Sequence, residues 1–268
     1  AYEFTPLSNP MSGTYTIGPS GADFEHFEDA VDSLIVHGVS DSVTMEVQAG
    51  TYEEQVRIPE ISGTSPDHPV TFTSESKDST DVIIQFASNN ETHNYTLGLN
   101  GASHFTFEYM TIAALDSTYN RGVHLQDTAR YNVFRHNRLK GLQFNSTNTN
   151  RSLFYISGES NLHAKINNNA FHHGGYGIYH DGSNHSDTLM IAGNRFASPY
   201  SGICLYYSAC QQIVSNTIIL DASIPDSERY GIHLFFSKGF MNKNALIANN
   251  FVSIKNAARS YGIYLYAS

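Results

Sequence analysis

The sequence predicts an all-β solenoid, a stack of coils each built from short parallel strands, and three observations predict it. A four-residue phrase recurs. Gly177-Ile178-Tyr179-His180, Gly202-Ile203-Cys204-Leu205, Gly231-Ile232-His233-Leu234 and Gly262-Ile263-Tyr264-Leu265 begin 25, 29 and 31 residues apart. Between the copies run Met190 to Phe196, Gln212 to Ile218 and Ala245 to Phe251, each with an apolar residue three before an Asn and another two after it. Apolar residues otherwise alternate over short stretches, and one segment alone has a helical period. Such a repeat marks a solenoid, in which each coil buries its apolar face against the next.

In chain order, the helix comes first. Phe24, Phe27, Val31 and Leu34 form one apolar stripe between Asp23 and His37, with Ala30 beside them. Asp23 is the expected N-cap, Glu25, Glu28 and Asp29 suit the positive end, and Gly38 is the expected terminator. The helix reads as a plug over the first coil, covering strand edges that would otherwise invite aggregation. Strands are expected over Val43 to Val47, Val56 to Ile58, Val70 to Thr73 and Val82 to Phe86. A longer one runs from Phe105 to Ile112, where Met110 takes the slot that later coils give to Asn.

Gly122-Val123-His124-Leu125 opens an earlier coil, and Asn137, Asn169, Asn194, Asn216 and Asn249 give one Asn per coil. Parallel strands about 4.8 Å apart let equivalent Asn side chains bond to the copies above and below, so these residues are expected to form a structural ladder. The whole chain, 1-268, is expected to be one domain of about eight coils. Residues 1-42 form the N-terminal segment and capping helix, and 43-268 form the coils. Gly262 to Ser268 starts a coil without a plug, as a piece cut from a longer protein would. Ala1 in place of Met fits signal-peptide removal or an excised fragment.

The Gly-Ile-x-Leu and Asn-x-Phe/Ile repeats resemble those of right-handed parallel β-helix proteins of the pectin-lyase-like superfamily. Ser12 to Gly18, Ala22 to Phe24, Asp29 to Val31, Gly50 to Val56 and Asp78 to Val82 are similar to β-helix modules of very large secreted or surface-anchored proteins of Bacteroidetes-type bacteria. The resemblance implies a right-handed parallel β-helix, a secreted or cell-surface location and adjoining domains of a larger chain. It implies much less about activity, because one fold hosts many.

Charge and hydropathy narrow the partners. Residues 1 to 100 hold 16 Asp and Glu against 2 Lys and Arg, whereas residues 101 to 268 hold 9 against 13. An acidic front and a body at +4 argue against nucleic acid, yet the body could favour an anionic polysaccharide. No apolar run approaches the roughly 18 residues of a membrane span. The leading expectation is therefore a non-catalytic module that binds glycans or serves adhesion and spacing. The alternative is a lyase acting on a uronate-containing polysaccharide.

Two sets of residues carry these expectations. With Ile178, Ile203, Ile232 and Ile263 inward, His124, Tyr179, Cys204, His233 and Tyr264 point outward, and Tyr206, Phe235 and Tyr266 come two positions on. Tyr179, Tyr206, Phe235, Tyr264 and Tyr266, with His233, would offer flat aromatic surfaces to sugar rings, unless the rings stack on one another or lie beneath loops. A lyase needs a base for the proton beside the uronate carboxylate. It also needs Ca²⁺ or Arg/Lys to neutralise that carboxylate. Arg138, Arg195, Lys140 and His172 are the candidates, the two arginines about 10 Å apart along the stack.

No resident cofactor is expected, with Ca²⁺ reserved for the lyase. His163, His172, His173, His180 and His185 lie close in sequence with Asp181 and Asp187, but lack the tight spacing of a zinc motif, so no metal is expected. His180 stands where other coils have Leu and is expected inside. Asp181 with Asp187 is the one nearby pair that could serve a glycosidase. The Asp-bearing motifs of the superfamily's polygalacturonases and pectin methylesterases are missing. Cys204 and Cys210 could form a disulfide or remain two thiols.

Overall fold

Every Gly-Ile-x-Leu phrase becomes a strand stacked directly on the next. Ile178, Ile203, Ile232 and Ile263 are register partners in successive parallel strands, with Val123 and Phe154 in the same column of earlier coils. The computed structural model describes residues 9–144, 148–158, 163–182, 188–197, 199–221, 228–237, 244–255, 257 and 259–268. Within them the chain winds through three parallel sheets. The first runs from Met11–Ile17 to Leu246–Ala248, the second from Val56–Pro59 to Arg259–Tyr266, and the third from Gly50–Tyr52 to Phe251–Lys255. No helix among the described residues is long and apolar enough to cross a membrane.

The core lies inside the coils. Phe72, Phe107 and Phe134 stack at 5.4 and 5.2 Å between ring centres, and Phe171 and Phe196 at 4.5 Å. The repeat glycines keep the coils narrow: a Cβ on Gly177 would lie 2.5 Å from Phe196, and one on Gly231 would lie 2.4 Å from Val252. His180 is fully buried in the inward column, beside Ile156 and Leu205.

The helix spans Phe27–His37 and buries Phe27, Ala30, Val31 and Leu34. Phe27 packs on Phe72 and Tyr52, which sets the helix over the first coil. Its start corrects the expected N-cap: His26 holds that place, with Asp29 accepting from the His26 amide at 3.1 Å. Asp23 instead accepts from the Thr16 amide and hydroxyl, both at 2.8 Å, and so closes a turn against the first strand. Phe24 therefore leaves the stripe and packs against Tyr15. Gly38 ends the helix as expected, at φ 61°, its amide bonded to the Leu34 carbonyl.

The expected strand over Phe105 to Ile112 is broken into Phe105–Glu108 and Thr111–Ala114 by Tyr109, at φ 55°. His136, Asn168, Gly193, Ser215 and Asn249 repeat that left-handed bend at φ 55–66°, each immediately before the true ladder position. The ladder runs Asn137, Asn169, Asn194, Asn216 and Asn250, so Asn249 is a misassignment. The amide of Asn216 donates to Asn250 Oδ1 at 3.0 Å, and Asn250 Nδ2 donates to the Ile213 carbonyl at 2.7 Å. Both Leu246/Ile247 and Phe251/Val252 are apolar pairs, so the sequence spacing fits either register. The structure turns Leu246 and Phe251 outward, at 48% and 60% exposure, and pairs Ile247 with Ile213 and Val252 with Ile218. Met110 does occupy the ladder slot of its coil, its amide donating to Asn137 Oδ1.

Candidate functional site

The ladder sets the position of the residue beside each rung. Arg138 and Arg195 each come one residue after a ladder Asn, at the start of third-sheet strands, and Ala170 is the register partner between them. Two strand spacings, about 10 Å, therefore separate the arginines along the stack. The small Ala170 leaves the space between them open, and both line a cleft of about 400 Å³. Lys77 and Asp78, on the bend between Val70–Ser74 and Val82–Phe86, also line it, as do the stacked rings of Tyr109 and His136, 4.9 Å apart and 5° from parallel. Lys77 Nζ donates to Thr73 Oγ1 at 3.0 Å.

The cleft is basic in an acidic protein. Lys77, Arg138 and Arg195 face one carboxylate, Asp78, and neither arginine forms an ion pair among the described residues. Asp78 is already occupied: the Thr80 amide and hydroxyl donate to it at 2.8 Å and hold its carboxyl below the usual range, with a small contribution from Arg138. Arg135, one bend away, is paired with Glu108 and adds no free charge.

The neighbouring outward column holds Lys140, His172 and Ala197 in register. His172 is held below its ordinary pKa, first by burial and then by the positive Arg138, His173, Lys140 and Arg195. All four residues expected to serve an anionic polymer thus share one sheet face. Sequence reasoning missed Lys77, Asp78, Tyr109 and His136. The last two carry a legible signal, since each stands immediately before the Asn slot, where the left-handed bend points a side chain outward.

The aromatic residues lie on the second sheet, in the two expected columns. Tyr155, Tyr179, Tyr206, Phe235 and Tyr266 stack consecutively at 5.8, 5.4, 5.0 and 4.9 Å, and His233 packs on Tyr264 at 5.2 Å. Tyr155 on Tyr179 and Phe235 on Tyr266 lie within 7° of parallel, whereas Tyr206 is tilted by 37° and 42° to its two neighbours, so the rings pack largely on one another. Three residues expected to point outward lie in the outer column yet are buried: His124 at 6%, Cys204 at 1% and His233 at 9% exposure. Burial pushes the Tyr179 and Tyr206 hydroxyls up, so they stay protonated donors.

Cys204 and Cys210 are not joined in a disulfide, both are buried, and burial raises the Cys204 pKa. Among the described residues these histidines go separate ways: His163 bonds Thr188 at 2.7 Å, His180 faces the core, and His172 lies in the column beside the basic cleft, next to Lys140. His185 and Asp187 lie outside the described residues.

Residues 142–268 match the family model described as periplasmic copper-binding protein (NosD), somewhat under half of the chain. The fold is similar to that of YbhC from Escherichia coli, at 10% identity and a TM-score of 0.55, covering 99% of this chain and 88% of that one. It is also similar to pectin methylesterase from carrot, at 11% identity and a TM-score of 0.51, covering 97% and 91%. No curated protein sequence matches the chain. Among the described residues, no three or more His, Cys, Asp and Glu side chains are grouped so as to hold a metal ion.

Proposed function

We propose that this right-handed parallel β-helix of the pectin-lyase-like superfamily is a periplasmic or extracellular module that binds acidic polysaccharide in the cleft between Arg138 and Arg195. The carrying observation is the pair of arginines, unpaired among the described residues, separated by small Ala170 and lining one cleft with Lys77. A 1,4-linked pyranose advances a chain by roughly one coil spacing, so two coils would match carboxylates on alternate sugars of an extended uronan. The Tyr109–His136 stack would give one sugar an apolar edge to rest on. The stacked columns of Tyr179, Tyr206, Phe235 and Tyr266, with His233 and Tyr264, are the second surface for a glycan. Their mutual stacking favours the cleft as the primary site.

A second reading, elimination at the same cleft, is favoured by His172 alone. A histidine kept neutral among Lys140, Arg138 and Arg195 could accept the proton beside a carboxylate that those cations neutralise. Incubation with pectate, alginate, glycosaminoglycan and neutral polysaccharides, with and without Ca²⁺, tests both readings. Retention on acidic polymers without new ultraviolet-absorbing unsaturated ends supports binding, and a rise in those ends establishes a lyase. Absence of both retention and turnover on every acidic polymer refutes the proposal.

A further inference from the structure

A second ladder of rings runs up the bend that precedes the first sheet. His104 and Tyr131 stack at 5.0 Å and 8° from parallel, and Tyr131 and His163 at 4.8 Å and 2°. Register then places Thr188 where the fourth ring would stand, because Lys165 pairs with Met190 and Thr188 Oγ1 bonds His163 Nδ1 at 2.7 Å. The bond fixes the His163 ring in the plane of the ladder. A pocket of about 340 Å³ opens at this step, lined by Tyr131, His163, Met190, buried Leu189 and the exposed Lys165 and Gln212.

We propose that this pocket binds a planar aromatic carboxylate whose ring takes the place of the missing fourth rung. Rungs recur at about 4.8 Å, the spacing of the coils and also a good distance for stacked rings. The walls are mostly apolar, as in sites that bury an organic ring, and the Met190 thioether suits an aromatic neighbour. Lys165 forms no ion pair among the described residues and stands two strand spacings, about 10 Å, from Gln212 with Met190 between them, so the two long side chains can close on a carboxylate from either side. The volume suits one ring with a short substituent, not an oligosaccharide. The pocket and the Arg138 cleft share no lining residue, so either can fail alone.

Titration calorimetry with 4-hydroxybenzoate, and with glucuronate as the sugar acid, tests the proposal on the whole chain. Saturable binding of 4-hydroxybenzoate is expected, with weaker or no binding of glucuronate. Thr188→Phe, which supplies the fourth ring, is expected to reduce affinity at least tenfold. Lys165→Met, an exposed change that leaves the fold intact, is expected to weaken it several-fold. Absence of saturable binding, preference for glucuronate, or wild-type affinity in Lys165→Met overturns the proposal. The last criterion holds even if Thr188→Phe does not fold.

Discussion

Replacing Asn194 with alanine removes four side-chain hydrogen bonds from the middle of the ladder. Asn194 Oδ1 accepts from the Asn169 amide at 2.9 Å and from Asn169 Nδ2 at 3.1 Å, while its Nδ2 donates to the Ile166 carbonyl at 2.7 Å and to Asn216 Oδ1 at 3.0 Å. Two of the four partners keep another bond: Asn169 Nδ2 retains the Phe134 carbonyl, and Asn216 Oδ1 retains the Asn194 amide. The Asn169 amide and the Ile166 carbonyl are left without that side-chain partner, in a site where Asn194 is 1% exposed. At about 1–3 kcal/mol for each buried backbone group so stranded, the loss is about 2–6 kcal/mol. Asn250→Ala strands groups that water reaches and is expected to cost about 1–2 kcal/mol. Asn249→Gly restores at φ 55° the residue that Gly193 supplies two coils earlier, and is expected to change stability by less than about 0.5 kcal/mol. Urea unfolding at pH 7 measures all three. A loss below about 1 kcal/mol for Asn194→Ala, or a larger loss for Asn249→Gly than for Asn250→Ala, would refute the ladder and its register.

The same geometry predicts three further outcomes. Burial, aided by the Arg121 charge, holds His124 down to about 3, against 6.5 in the unfolded chain. The unfolded state therefore binds an extra proton between those values, so stability is full above pH 6.5 and falls as pH drops toward 3. Between pH 7 and 5, wild type should lose about 1–2 kcal/mol more than His124→Gln in urea titrations, and equal losses would contradict the burial of this ring. Cys204 and Cys210 should resist a water-soluble thiol reagent in the native state and both react in denaturant; rapid native labelling would show that the outer column is open. Retention on the acidic polymer should strengthen as pH falls toward and below the ordinary histidine range, because a bound polyanion favours protonated His172 over its depressed free state; a pH-independent profile would separate His172 from the cleft.

The sequence made the coils legible because Gly-Ile-x-Leu is forced by packing wherever another coil stacks on it: Gly177, Gly202 and Gly231 have no room for a Cβ, and Ile178, Ile203 and Ile232 face the core. It was ambiguous where two apolar residues adjoin. At Leu246-Ile247 and Phe251-Val252 a one-residue slip preserves the pattern and moves every side chain to the other face, so hydrogen bonding alone chooses Asn250 over Asn249. The helix start failed for a related reason. Asp23 has the chemistry of an N-cap, but a strand hydroxyl and amide at Thr16 compete for it across seven residues, and tertiary pairing wins. Arg138, Arg195, Lys140 and His172 could be grouped from sequence because the repeat sets their columns. Lys77 could not, since the bend that carries it, between Val70–Ser74 and Val82–Phe86, lies in an earlier coil that lacks the Asn repeat.

The most direct test of the binding account is the affinity of one acidic polysaccharide for three proteins: wild type, the double variant Arg138→Ala/Arg195→Ala, and the double variant Tyr206→Ala/Phe235→Ala. Loss of the two cleft cations should weaken binding at least tenfold, about 1.4 kcal/mol, with the melting temperature unchanged, while the aromatic variant keeps most of its affinity. Wild-type affinity in the arginine variant, with binding lost in the aromatic one, would contradict the account and move the site to the second sheet.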